Sequence, residues 1–196
     1  ERVMNNPEII TATSNDKASI IDAVALAFAA DPFARWMYPD PNQYLSNIRE
    51  MASLFAGKAF DHGTAYYVEG CRGVALWLPP NVHPDEEALV AHMSATIHDS
   101  RQEAAFSVFE QMDNCHPSAS HWYLPIIAVD PHHQNQGFGA MLLAHANERF
   151  DIEGIPAYLE SSNPKNITLY KRHGYEVITE IEAGVSVVTP MVRQPR

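Results

Sequence analysis

Cationic side chains are scarce in this chain. Its 196 residues carry 13 Lys and Arg against 24 Asp and Glu, a formal net charge of −11. Blanket binding to nucleic acid or to an anionic membrane surface is not expected, because both rest on Lys and Arg neutralising phosphate. Cysteine is scarcer still. Cys71 and Cys115 supply no disulfide framework and read as two reduced thiols of a cytoplasmic protein. No window of 18 apolar residues occurs, so no membrane-spanning helix is expected. The segment Glu1-Arg-Val-Met4 has no signal-peptide pattern, and Met4 reads as the native start. Asn166-Ile-Thr168 matches a glycosylation acceptor, but without a secretory signal the match is treated as chance. Ten histidines are present, yet no His/Cys/Asp set has ligand spacing, and no metal is expected. Internal repeats and low-complexity tracts are absent.

What is there is an ordinary globular composition, with 46% hydrophobic and 19% charged residues, in a length that suits one domain with a sizeable core. Residues 7–13 read as a short edge strand. Ser14 and Asp16 offer an N-cap to a helix with Ile20, Ile21, Val24 and Phe28 at helical spacing, ended by Asp31-Pro32. Residues 33–40, "FARWMYPD", read as an aromatic-rich loop. A second helix follows, with Leu45, Ile48, Ala52, Phe55 and Ala59 on one face. Residues 64–69 and 72–78 read as a hairpin turning at Gly70. Residues 84–114 read as two helices. Then come a strand (121–129), a helix (137–150), a strand (156–161), a helix (166–173) and two closing strands (175–182 and 185–192). The pattern is α/β, with helices around one mixed central sheet.

The stretch "HHQNQGFGAMLL", residues 132–143, carries the chemistry. Two glycines, Gly137 and Gly139, lie between a strand-like run ending at Val129 and a helix-like run. Glycines let a backbone approach a phosphate closely, and the free N–H groups and dipole of a helix start attract an anion. A P-loop needs Gly-Lys-Ser/Thr, which Phe138 and Ala140 exclude. A dinucleotide turn needs G-x-G-x-x-G, but Leu142 holds the third place. Glu160 lies where that fold's ribose-binding acid would be. Against that rival, seven residues separate the strand from Gly137, and too little chain follows for the rest of the sheet. A glycine turn that only connects is the plain alternative.

A third loop, Gln/Arg-x-x-Gly-x-Gly/Ala, fits Gln134-Asn-Gln-Gly137-Phe-Gly139. In this loop, in Val129-Asp-Pro131 before it, and in Asn163, Asn166, Tyr170, Gly174 and Tyr175 after it, the chain resembles the GNAT superfamily of acyl-CoA-dependent N-acyltransferases. The segment "GIPAYLESSNPKNITLYKRHGYEV", with "WMYPD" and "VALWLPP", looks closest to the puromycin N-acetyltransferase-like branch. The resemblance implies one GNAT-like domain over residues 4–193. Its acetyl-CoA-binding core would span about 121–180 and its acceptor-site helices and loop about 14–62, with 84–114 as an extra helical stretch. It also implies a sheet splayed between strands 121–129 and 156–161. Coenzyme A would then lie on Gln134, Asn135, Gln136, Gly137, Phe138, Gly139 and Ala140 through its pyrophosphate. Its pantetheine would lie along Ile127, Ala128 and Val129, with Asn163, Asn166 and Tyr170 beside the arm and the thiol.

The same resemblance makes Tyr170 the general acid for the leaving thiolate, with a packing tyrosine as the alternative. Glu160, at the end of an apolar strand, is the expected base or acceptor contact, with a solvated carboxylate as the alternative. His121 is a third catalytic candidate. Tyr123, on the same strand face, and Trp36 and Tyr38, in the loop where the family builds its acceptor pocket, are expected to bind substrate; anchoring the core is their other reading. The activity implied is acetyl transfer from acetyl-CoA directly to the primary amine of a small molecule, by a monomer or homodimer. Acetylation of a protein N-terminus or lysine, and a coenzyme A-binding module without turnover, are the rival readings.

Overall fold

The computed structural model describes residues 7–196. Met4 as the start, and residues 4–6 of the expected domain, lie outside the described residues. In chain order the elements are β1 (Ile9–Thr11), α1 (Lys17–Ala27), α2 (Pro32–Met37), α3 (Pro41–Ala56), α4 (Lys58–Asp61), β2 (Ala65–Val68), β3 (Gly73–Leu78), α5 (Glu86–Thr96), α6 (Asp99–Asn114), β4 (Trp122–Val129), α7 (Phe138–Glu153), β5 (Ala157–Ser161), α8 (Ile167–Arg172), β6 (Glu176–Val177), β7 (Ile181–Ala183) and β8 (Ser186–Arg193). The strands form one mixed sheet in the order β1-β2-β3-β4-β5-β8-β6, with β7 also paired to β8. Among the described residues, only β4 and β5 run parallel.

Burial on both faces explains the apolar run of β3, in which all six residues are buried. Val74, Leu76 and Leu78 join Tyr123, Ile126 and Ala128 against Ile20, Ile21 and Val24 of α1 and Ala52 and Ala56 of α3. Ala75 and Trp77 face the other way, with Leu142, Leu143, Ala146 and Phe150 of α7. A strand covered on both sides has no polar face to alternate. A third cluster joins α2, α3, α5 and α6 to β7 and β8.

Several expectations are corrected. Residues 33–40 are mostly helix rather than loop. Asp31 accepts from the N–H groups of Phe33 and Ala34 at 3.0 and 2.9 Å, and Pro32 supplies the fixed φ of a first helical position. Asp16 holds the N-cap position of α1, as expected, and Ser14 does not; the N–H and hydroxyl of Thr13, which starts the preceding turn, both donate to the Asp16 carboxylate. On α3 the buried face holds Tyr44, Ile48, Met51, Ala52 and Ala56, whereas Leu45 points out to solvent. The strand expected over 175–182 breaks between β6 and β7 opposite Pro190, which has no N–H to give and accepts from Ile178 N. The helical stretch 84–114 is two helices, as expected.

Arg193 closes the sheet's far end. Its buried guanidinium donates to both carboxylate oxygens of Asp151 at 2.7 and 2.8 Å and to the His173 carbonyl at 3.0 Å. Hydrogen bonds from Arg193 hold the Asp151 carboxyl below its ordinary value of 3.8. The folded pKa is depressed, so this contribution is full above about pH 3.8 and is lost as pH falls through the lower folded value. Arg193→Met should therefore cost about 1–3 kcal/mol in urea melts at neutral pH, with the gap to wild type narrowing in acid. A gap independent of pH would show that packing, not the ion pair, sets the loss.

Candidate active site

The cleft begins where β4 and β5 part company. They pair only at Trp122↔Ala157, Tyr123↔Tyr158 and Leu124↔Leu159. Beyond Leu124 the β4 edge facing β5 has no strand partner, as the expected splay requires. Pro125 stands at the point of parting. On the β3 side the register shifts at the same place: Tyr123 faces Leu78 and Ile126 faces Leu76. Two β4 residues, Leu124 and Pro125, thus stand opposite Trp77 alone. This is a β-bulge, which bends a strand, placed at the one residue that cannot donate to a ladder.

The gap opens into a cleft of about 1130 Å³ lined by β4 from Leu124 to Val129 and by Gln134, Asn135, Gly137, Phe138, Gly139 and Ala140. Gly137 has φ +87°, a left-handed backbone that only glycine adopts freely. It turns the chain into α7, and a side chain there would meet open space. Gly139 serves close approach instead: a Cβ would lie 3.3 Å from Leu169 of α8. Together they bring the start of α7, with its unpaired N–H groups, to the cleft wall beside α8. Gln136 is not among the lining residues; its side chain turns back toward the His132 carbonyl. Asn163 and Asn166 both line the cleft. The Asn163 carboxamide also accepts from Lys165 N at 3.1 Å, capping the turn that starts α8.

Tyr170 is buried and lines the cleft. Burial, and then the charge of Asp31, push its phenol above its ordinary value of 10. It therefore stays protonated through neutral pH and retains a proton to give. Gly174, at φ +89°, stops α8 just beyond it, and Tyr175 N bonds back to the Tyr170 carbonyl at 3.1 Å. Glu160 lines the same cleft from β5 with a side chain only 3% exposed. Beside it, Tyr123 and Tyr158 have phenols raised by burial and by the Glu160 charge.

Four more expected residues lie outside the cleft lining. His121 does not line the cleft; it bonds His116 and the Ala119 carbonyl at 2.9 and 2.7 Å. Tyr38 is buried in the helical core with its hydroxyl 2.7 Å from Thr96 Oγ1. Trp36 stacks on Phe33 and packs against the backbone of Gly184 under the β7–β8 turn. The formation of α2 is the reason: it winds the aromatic segment so that Phe33, Ala34 and Met37 line the cleft instead. Tyr123 packs beneath Glu160 and beside Phe55 without joining the lining.

Other cleft residues carry no motif. Lys165 and Arg172 bring two cations to the α8 wall, and only the rarity of basic residues in this chain hinted at them. Asp31 is buried, and its second oxygen accepts from the Ser162 hydroxyl at 2.6 Å, tying the α2 start to the end of β5. Burial raises its carboxyl pKa against these hydrogen bonds. Phe28, Met51, Phe55, Phe109 and Met112 form an apolar inner lobe. The last two come from α6, which gives the stretch 84–114 its place in the site.

Residues 86–177 match the acetyltransferase (GNAT) domain family. The fold is similar to that of a protein described as histone acetyltransferase HPA2 and related acetyltransferase from Corynebacterium glutamicum, at 24% identity over 98% of both chains with a TM-score of 0.70. It is also similar to Drosophila melanogaster polyamine N-acetyltransferase, which forms N-acetylagmatine (14% identity, 96% of this chain and 100% of that one, TM-score 0.66). A third likeness is to the Thermoplasma acidophilum PaiA N-acetyltransferase in complex with coenzyme A (14%, 97% and 99%, TM-score 0.57). The fold is the GNAT fold.

Acetyl-CoA is expected to raise the melting temperature, since a ligand that binds only the native state stabilises it. Gly137→Asn keeps a residue that tolerates the left-handed turn, at a cost of about 1 kcal/mol or less, but fills the open space at the cleft wall. It should abolish most of the shift. An unchanged shift would remove the loop from the binding site, and a shift with NADH alone would restore the dinucleotide reading.

Proposed function

We propose that this chain, an acetyl-CoA-dependent acyltransferase of GNAT fold, transfers the acetyl group directly to the primary amine of a small molecule with an apolar body. The observation that carries this reading is the continuity of the cleft. One space runs from the start of α7 and the unpaired β4 edge to a lobe of Phe and Met side chains with Glu160 in its wall. The first part suits an extended, anionic thioester: backbone N–H groups, Lys165 and Arg172 for phosphate, and Ile127 to Val129 for the diamide arm. The second suits a compact apolar body. A protein N-terminus or lysine side chain would place polar backbone there, which the lobe gives few groups to satisfy. The likeness of residues 154–177 to the puromycin N-acetyltransferase-like branch supports the same class. The unpaired Cys71 and Cys115 fit a cytoplasmic enzyme.

The chemistry needs two protons moved. An alkylamine, with a pKa of about 10.4, arrives as the ammonium. Glu160 accepts a proton from it, and the neutral nitrogen attacks the thioester carbonyl. The C–N bond forms, the C–S bond breaks, and the nitrogen loses its second proton to water. Tyr170 donates to the departing sulfur and recovers its proton from solvent through the cleft, and Glu160 returns its proton to solvent, so the turnover releases one proton overall.

Tyr170→Phe keeps the ring and removes the proton. It should lower kcat by about 10²- to 10⁴-fold, the range for general acid catalysis, with little change in acetyl-CoA affinity. A kcat within about threefold of wild type would defeat the assignment. In a thiol-release assay with an amine panel, arylalkylamines and long alkylamines should exceed polyamines and peptides in kcat/KM. Acetyl-CoA binding without thiol release for any amine would favour a binding module.

A further inference from the structure

We propose that Glu160 and His116 share one proton and act as a single base, with His121 as the positioning residue that fixes the orientation of His116. The chain of contacts sets the tautomers. His121 Nδ1 lies 2.7 Å from the Ala119 carbonyl oxygen. A carbonyl only accepts, so the proton of His121 sits on Nδ1. Burial lowers the His121 pKa, which keeps the ring neutral and leaves a lone pair on Nε2. That lone pair faces His116 Nδ1 at 2.9 Å, so His116 Nδ1 carries a proton and donates it. A neutral His116 then presents a lone pair from Nε2.

His116 Nε2 stands 3.3 Å from Glu160 Oε1. Oε1 is buried and has no aligned hydrogen-bond donor of its own. Without a proton between them, a lone pair and a carboxylate oxygen face each other in a dry place. One added proton turns that repulsion into an ion pair or a hydrogen bond. Among the described residues, the one ionic partner Glu160 has is His116. The other groups packed around the pair cannot take over the role. The Tyr123 and Tyr158 rings lie 4.5 and 4.2 Å from the His116 ring; burial, the Glu160 charge and hydrogen bonding to Glu160 keep their phenols protonated, so they can donate to the carboxylate but cannot take up the ammonium proton. The field of Glu160 reaches the Cys115 thiol, which burial also raises. Asp113 adds negative charge and His83 acts on His121 from a distance. Neither His116 nor His121 lines the cleft. His116 therefore acts through Glu160: the carboxylate receives the ammonium proton, and the imidazole behind it shares that proton.

The catalytic consequence rests on the acetyl-transfer reading; the shared proton does not. Nitrogen-15 NMR of the histidine rings in the protein without ligand should show His121 as the Nδ1–H tautomer. Neutral His116 should be the Nδ1–H tautomer, and in Glu160→Gln its Nε2 resonance should move, because the anion facing that nitrogen at 3.3 Å has been removed. A His116 that carries its proton on Nε2 when neutral, or whose ring resonances are identical in both proteins, overturns the proposal. In turnover, His116→Gln should lower kcat at least about tenfold and shift the acidic limb of the pH profile to lower pH, with KM for acetyl-CoA unchanged. His121→Gln should do the same more weakly. A His116→Gln profile that keeps the wild-type limb also overturns it. If the NMR result holds and no amine is acetylated, the shared proton stands and the transferase reading falls.

Discussion

A single missing donor organises this molecule. Pro125 sits in the middle of β4, where a buried strand ordinarily carries an unbroken ladder. On one side, β3 absorbs the interruption as a bulge. The change of face shows it, because Tyr123, Ile126 and Ala128 share one side of the sheet, a step of three and then of two. On the other side, β5 pairs through Leu159 and no further. Every later feature uses that opening. The turn at Gly137 hangs from the freed end of β4, α8 packs against the start of α7, and Glu160 sits on β5 one residue past the last rung.

An opened sheet still has to be held open at a fixed width, and Asp31 contributes to that. Its carboxylate caps α2 with one oxygen and receives the Ser162 hydroxyl on the other. It thereby joins residues 131 positions apart, one from the acceptor side and one from the end of β5. The same buried charge acts on Tyr170 and helps hold its phenol protonated. Structure and chemistry are coupled here through one group. A neutral residue at position 31 would loosen the α2 start and at once remove a field that keeps the proton on the phenol.

The sequence made the frame legible because its signals are local. The turn at Gly70, the turn into α7 at Gly137 and the helical stop at Gly174 each follow from left-handed backbone that few residues adopt, and each lies at its expected place. The apolar face of α7 and the continuous run of β3 follow from burial. What was not legible depended on partners distant in sequence. "FARWMYPD" reads as a loop because its aromatics obscure a six-residue helix whose cap, Asp31, looks from sequence like the end of the helix before. That error placed Trp36 and Tyr38 in the cleft when Phe33, Ala34 and Met37 line it. The β4 run reads as one strand, and the proline inside it marks a bulge or an edge without showing which neighbour parts from it. His116 carried no signal, since its role depends on meeting β5 and His121 in space.

In the proposed mechanism the acid and the base have opposite requirements, and the fold would meet them with the same means. An acid for a thiolate must keep its proton at neutral pH, and a base for an ammonium must be ready to take one. Burial raises a phenol and so serves the first need directly. Burial also raises a carboxylate's affinity for a proton and so favours a base, up to the point where the carboxyl stays protonated and can no longer accept. Placing an imidazole lone pair behind the carboxylate changes that balance: the proton, once taken, is held by two groups and stays localised. The surrounding phenols of Tyr123 and Tyr158 supply bulk and dryness without competing for it. On the proposed reading, two titratable sites of one cleft are thus pushed apart in behaviour by what stands behind each of them, a carboxylate for the acid and an imidazole for the base.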